Sequence, residues 1–436
     1  MDARSSSPPG AWQSLLTGET ARRALTLAEE IAAGIATALQ TALRPAFSLQ
    51  DGLAGIALFF AYLHQAHPGR GHDDTAVDLL GQAVDAIGGE VTAPLLYSGF
   101  SGVAWVVEHL EGRLLDPAEA DHGEAIAHTL NRYLARPRSG AAFDLMTGAC
   151  GYGVYALERG RRPLGAECLR QALDLLAARA ERLPDGIAWR CRPEHLPPAT
   201  AAAYPEGAYN LGIAHGVPGA VAFLAEAWAT GEAREVVRPL VEGAVAWLQG
   251  QRLPPGERSV YPYFFAPGAV PIPTRLAWCY GDLSIAAALL LAGRRVGVGA
   301  WEHEARALAG GAAARPCEDS GVVDAGLCHG AAGIAHLFNR LFQATGEPTL
   351  AAAARRWLER ALELRRPGRG IAGFEAWGRV DLAGTVHEEW TADPGLLNGA
   401  AGVGLALLAA ATPIAPDWDR VMLLALPPEP RAPQGP

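Results

Sequence analysis

The sequence predicts an all-α protein: an α/α toroid (barrel) of seven inner and seven outer helices, with Gly-rich turns at one end. Three observations carry that reading. A Gly-x-x-Gly signal recurs along the 436 residues, an almost wholly apolar run follows each signal, and an amphipathic segment precedes each one. A run that is apolar on every side marks a helix buried all round, whereas charges opposite an apolar stripe mark a helix with one face in water. Seven of each, alternating, fit two concentric layers.

In chain order, the first unit pairs the outer segment Thr20–Gln40 with QDGLAGIALFF (50–60), and the second pairs Thr75–Ile87 with YSGFSGVAWVV (97–107). The third joins Glu124–Ala135 to MTGACGYGVYAL (146–157), and the fourth joins Ala166–Leu183 to IAHGVPGAVAFL (213–224). Ala233–Gln249 precedes WCYGDLSIAAALL (278–290), Trp301–Ala313 precedes LCHGAAGIAHLF (327–338), and Leu350–Arg365 precedes LLNGAAGVGLALL (396–408). The first glycines, Gly52, Gly99, Gly148, Gly216, Gly281, Gly330 and Gly399, lie 47 to 69 residues apart, a helical-repeat unit with insertions. In the fifth unit Ser284 replaces the second glycine, a matter of packing. Each pair marks a tight turn where converging backbones leave no room for a Cβ. β-signals are weak, with Val260–Val270 reading as a short strand or hairpin. One domain is expected over 20–426, between a flexible N-terminal segment, 1–19, and a flexible Pro-rich tail, 427–436.

Composition narrows the function. A net charge of −10 argues against nucleic acid, whose binders carry a basic patch. No basic region followed by an apolar core opens the chain, so no secretory signal is read. The charge-free stretch Pro394–Pro416 is broken by Gly, Asn and Pro and suits a buried helix better than a membrane span. Six cysteines in a chain of this length are not a disulfide framework. A cytoplasmic protein with reduced thiols is expected.

Turns at one end of a ring would direct their flanking residues into a shared central cavity. Cys279 lies two residues before Gly281, and Cys328 and His329 immediately precede Gly330. Thiolate and imidazole are what Zn²⁺ prefers, and three ligands with one open position mark a catalytic site. Cys150, Cys168, Cys191 and Cys317 read as small buried hydrophobes. His215, before Gly216, is either a satisfied buried histidine or a general acid/base. Asp144 either orients that imidazole or caps a helix. His336 reads as core. Arg275 and Tyr280 flank Cys279 and face either the cavity or solvent.

The blocks NLGIAHGVPG (210–219), RLAWCYGD (275–282), DAGLCHGAAGIAHLFNR (324–340), DLMTGACGYG (144–153) and the closing WDRVMLLAL (418–426) resemble those of lanthionine synthetase C-like proteins, the lanthipeptide cyclases. The resemblance spans essentially the whole chain and implies the same toroid. It implies one Zn²⁺ per chain on Cys279, Cys328 and His329, an acid/base His215 with its partner Asp144, and less defined roles for Arg275 and Tyr280. The implied reaction adds a cysteine thiol of a dehydrated precursor peptide to dehydroalanine or dehydrobutyrine. No room remains for a dehydratase region, so a stand-alone cyclase with a separate dehydratase is implied. A peripheral place beside a membrane export complex stays compatible, although the chain itself has no membrane segment. Two insertions, Pro193–Tyr209 and Pro254–Pro273, are candidates to rim the cavity, or are ordinary surface loops. The rival within the family is a non-catalytic zinc-dependent thiol or glutathione binder. A zinc prenyltransferase or a glycosidase fits less well, the first using Asp at its metal and the second two carboxylates and no thiolate cluster.

Overall fold

A computed structural model of the chain describes residues 11–41, 46–89, 92–116, 121, 123–136, 141–382 and 385–429. Its helices are α1 (Gly18–Thr41), α2 (Leu53–Ala66), α3 (His72–Gly89), α4 (Phe100–Leu110), α5 (Glu124–Leu134), α6 (Ala149–Arg159), α7 (Gly165–Arg179), a short α8 (Pro198–Ala203), α9 (Val217–Thr230), α10 (Arg234–Gln249), α11 (Asp282–Val296), α12 (Gly299–Ala314), α13 (Ala331–Thr345), α14 (Pro348–Glu363) and α15 (Ala400–Ala411). The inner helices α2, α4, α6, α9, α11, α13 and α15 each pack on the next, and α15 returns to α2. Each inner helix also packs against the outer helix that follows it, and α1 closes the second layer on α15. The expected toroid of seven inner and seven outer helices is therefore the fold, with α8 an insertion.

Burial explains the two layers. Outer α1 buries Ala24, Leu27, Ala28, Ile31, Ala32 and Ile35, one face at helical spacing. Inner α11 is buried without interruption from Asp282 to Gly293. Each Leu or Ile so covered contributes about 1.5–3 kcal/mol, so the sequence gains most where it is apolar all round.

The glycine turns pack as anticipated. A Cβ on Gly102 would lie 1.9 Å from the Leu96 carbonyl oxygen and 2.8 Å from Leu49 Cβ in the neighbouring turn. The fifth turn takes another path: Gly281 has φ +108°, and the Ser284 hydroxyl donates to the Gly281 carbonyl. Neighbouring turns are also hydrogen-bonded. The Gln50 N–H donates to the Tyr97 carbonyl, Leu396 and Leu397 to Gln50, Cys328 to Leu397, and Trp278 and Cys279 to Cys328.

The ring is not an open cavity. The closing segment, a 3₁₀ turn over Asp417–Met422, buries Trp418, Asp419, Val421 and Met422. Tyr97 and Trp278, from the second and fifth turns, donate to the carbonyls of Val421 and Met422 at 2.9 and 3.0 Å. Asp419 accepts from His336 and Arg340 of α13, and His336 stacks on Trp418. His336 is core, as expected.

Strands are short. β1 (Glu181–Leu183) pairs antiparallel with β2 (Gly186–Ala188). β3 (Arg190–Cys191), β4 (Ala208–Asn210) and β5 (Phe264–Phe265) form an antiparallel sheet. Only Phe264–Phe265 of the expected 260–270 strand or hairpin is strand, because its partner comes from the other insertion. A hairpin without a sequence expectation, β6 (Ala376–Leu382) with β7 (Thr385–Thr391), follows α14. At the ends, residues 1–10 and 430–436 of the expected flexible segments lie outside the described residues. Trp12 and Leu15, by contrast, are buried, and Trp12 Nε1 donates to the Ala409 carbonyl at 2.7 Å. The Pro427 carbonyl accepts from Arg294, and Glu429 pairs with Arg306. Among the described residues no helix is long and apolar enough to cross a membrane.

Candidate metal centre and adjoining cleft

The belt of turn-to-turn hydrogen bonds positions the thiols. Because Trp278 and Cys279 both donate to the Cys328 carbonyl, the fifth and sixth turns are held in register and their cysteines face one another. Ligand atoms of Cys279, Cys328 and His329 lie within 4.8 Å of one another. Two Zn–S bonds of 2.3 Å at a tetrahedral angle place their sulfurs about 3.8 Å apart, so the observed spacing suits a tetrahedral ion after small side-chain rotations. The three thus fit the ligand set of one Zn²⁺.

The surroundings fit as well. Asp324 Oδ2, almost wholly buried, lies 3.5 Å from His329 Nε2 and accepts from the Trp377 N–H at 3.0 Å. A carboxylate at one ring nitrogen leaves Nδ1 for a metal and fixes the ring's orientation. The Cys328 thiol, donating to Cys279, holds Cys279 well below the usual thiol range, helped against burial by His329 and Arg275. The same bond and burial push Cys328 well up. Burial would lower Arg275, but the neighbouring Cys279 and Tyr263 raise it, so a guanidinium compensates the first thiolate.

A cleft of about 1150 Å³ lies alongside, lined by Asp144, Asn210, His215, Tyr263, Phe264 and Tyr280 among others. His215 Nδ1 is 3.1 Å from Asp144 Oδ2. Thr147 anchors that carboxylate, its N–H 2.6 Å and its hydroxyl 3.0 Å from Oδ1. The imidazole is 41% exposed to the cleft. Enclosure lowers its pKa, but the Asp144 hydrogen bond and charge, with the Cys279 charge, raise it above the ordinary value. Cys279, Cys328 and His329 are not among the cleft's lining residues. The connection runs through Tyr280, next in the chain to Cys279, and through the Cys279 charge felt at His215.

Several expectations change here. The cleft is set to one side, over the third to fifth turns, and no residue of the closing segment lines it. Both insertions rim it, with Glu194, His195 and Pro197 from the first and Tyr263 and Phe264 from the second. Arg275 sits beside Cys279, and Tyr280 faces the cleft. Of the cysteines read as small buried hydrophobes, Cys317 is half-exposed. Cys191 is buried but lines the cleft, its thiol 3.4 Å from the His215 carbonyl.

Two supporting residues, Asn210 and Asp324, escaped the sequence reading although a signal was present. Asn210, Asp324 and Asp393 each stand six residues before a turn's first glycine, and each side chain accepts the N–H two residues on. An Asx-x-Gly at a fixed offset in three of seven repeats is the turn motif that glycine spacing alone overlooked.

The comparisons with known proteins agree with this architecture. No curated protein matches the sequence significantly. Among solved structures, one titled nisin cyclase superposes with a TM-score of 0.72 at 19% identity, over 91% of this chain and 96% of that one. The profile of the family described as lanthionine synthetase C-like protein matches residues 46–423. With that match covering most of its length, the chain belongs to the lanthionine synthetase C-like family.

Proposed function

We propose that this chain is a zinc-dependent lanthipeptide cyclase. It adds a cysteine thiol of a dehydrated precursor peptide to the β-carbon of a dehydroalanine or dehydrobutyrine in the same peptide. A C–S bond forms at Cβ, the π pair shifts towards Cα and its carbonyl oxygen as an enolate, and a proton arrives at Cα. The thiol proton is lost, so the net change is S–H addition across C=C without oxidation or reduction. The observation that carries the reading is the convergence of Cys279, Cys328 and His329 beside a cleft holding the His215–Asp144 pair. Family membership and the fold shared with nisin cyclase support it.

Cys279, Cys328 and His329 would hold the zinc. Bound there, the ion would keep a substrate thiol, of ordinary pKa about 8.5, deprotonated at neutral pH. His215, held by Asp144 and shifted towards its protonated form, delivers the proton to Cα. Arg275 offsets the charge of the thiolate ligands. At about 1150 Å³ the cleft exceeds the roughly 300–1,000 Å³ of small-ligand pockets and suits a short stretch of peptide. A separate cytoplasmic dehydratase would supply that peptide.

The test incubates zinc-loaded protein with a dehydrated precursor and counts free thiols by alkylation and mass spectrometry, against Cys328→Ala. The variant is expected to lose cyclisation and to retain well under one zinc per chain. Equal cyclisation by both proteins refutes the mechanism. Zinc-dependent glutathione binding without ring formation would move the chain to a thiol-binding role.

A further inference from the structure

Asn210 ends β4 opposite Phe264 of β5. It is 1% exposed, yet it lines the cleft. Its side chain has two partners. The Gly212 N–H, which can only donate, lies 2.8 Å from Oδ1, and this fixes which end of the amide is oxygen. The amide nitrogen therefore donates to Tyr280 Oη, at 2.7 Å. A phenol oxygen that accepts on that side must direct its own hydrogen elsewhere. Tyr263 packs edge-on against the Tyr280 ring, with centroids 5.0 Å apart, so the phenol is held where it borders the cleft.

We propose that Asn210 is a positioning residue: by donating to Tyr280 Oη it turns the phenol hydrogen into the cleft, where Tyr280 donates to the enolate oxygen of the adding peptide. The proposal rests on the cyclase reading. Neutral donors aimed where charge develops stabilise it without reorganisation.

Asn210→Asp is the discriminating variant. It keeps an oxygen for the Gly212 N–H but replaces the amide donor with an acceptor, towards which the phenol hydrogen turns. With zinc-loaded full-length protein, kcat is expected to fall about 10- to 100-fold and KM to stay within about 2-fold. In a Tyr280→Phe background the same substitution should cost nothing further. An unchanged kcat, or full additivity in the double variant, overturns the proposal. A second readout does not need turnover. In protein labelled with ¹³Cζ-tyrosine, the Tyr280 resonance, identified by its loss in Tyr280→Phe, should move in Asn210→Asp. An unmoved resonance refutes the hydrogen bond. If wild-type protein fails to cyclise peptide, the cyclase reading falls and the enolate role with it, while the resonance still decides whether Asn210 orients the phenol.

Discussion

His215 and Asp144 come from adjacent turns, and the carboxylate's hydrogen bond and charge hold the imidazole's pKa above its ordinary value against burial. Because the folded pKa of His215 is raised, its ion pair stabilises the fold fully below about pH 6.5, and that contribution is lost as pH rises through the raised value. In the proposed reaction, proton delivery to Cα needs the charged ring, so the alkaline limb of kcat is expected to follow the titration of His215. Asp144→Asn removes the hydrogen-bonding carboxylate and should shift that limb to lower pH. A pH–kcat profile checks this, and an unmoved limb would assign the limb to another group. Sequence reading found both residues because they sit beside glycines. It passed over Asn210 and Asp324 although their Asx-x-Gly spacing was legible, because that spacing marks a turn and does not name the Tyr280 phenol or the His329 imidazole that each approaches.

At the scale of elements, the turn is the constrained part of the repeat and the outer helix the tolerant one. A Cβ on Gly102 would meet the Leu96 carbonyl at 1.9 Å, and backbone cannot yield there. Gly102→Ala should destabilise the protein by about 3 kcal/mol or more. Gly310 in α12 has nothing within 4 Å of an added Cβ, and Gly310→Ala should stabilise by about 0.4–1 kcal/mol through the unfolded chain. Denaturant unfolding of both variants gives the comparison, with opposite signs expected. The helices were legible because period and burial agree: α1 shows one buried stripe and α11 none that is exposed. Of the strands only β5 was, within Val260–Val270, and its pairing was not, since β4 lies more than fifty residues away and neither alternates far enough to declare a partner.

Over the whole molecule, two closures make a ring from a linear repeat. α1 fills the gap beside α15, with Trp12 donating to the Ala409 carbonyl. The closing segment occupies the centre, where Asp419 accepts from both His336 and Arg340. Burial would raise Asp419, but Arg340 and His336 outweigh it and hold the carboxyl below its usual value. Its contribution is therefore present above about pH 3.9 and lost as pH falls through the depressed value. Asp419→Ala leaves a guanidinium buried without its carboxylate and should cost about 3–5 kcal/mol. Thermal and denaturant melts measure it, and a loss below about 1 kcal/mol would show that the segment is held by apolar packing alone.

By itself the sequence determined the number of repeats, the two helix layers and which thiols and imidazole, Cys279, Cys328 and His329, come together as a candidate metal cluster. Each of these is written locally, as a period, a glycine pair or a Cys-His dipeptide. Only the tertiary structure decided that the ring's centre is filled, that the cleft lies over the third to fifth turns, and that Asn210 and Asp324 support the residues beside them. Those facts depend on which turns hydrogen-bond to one another and on where the last segment comes to rest. Both are set by contacts between residues from about fifty to more than three hundred positions apart, and no local pattern states which turn meets which.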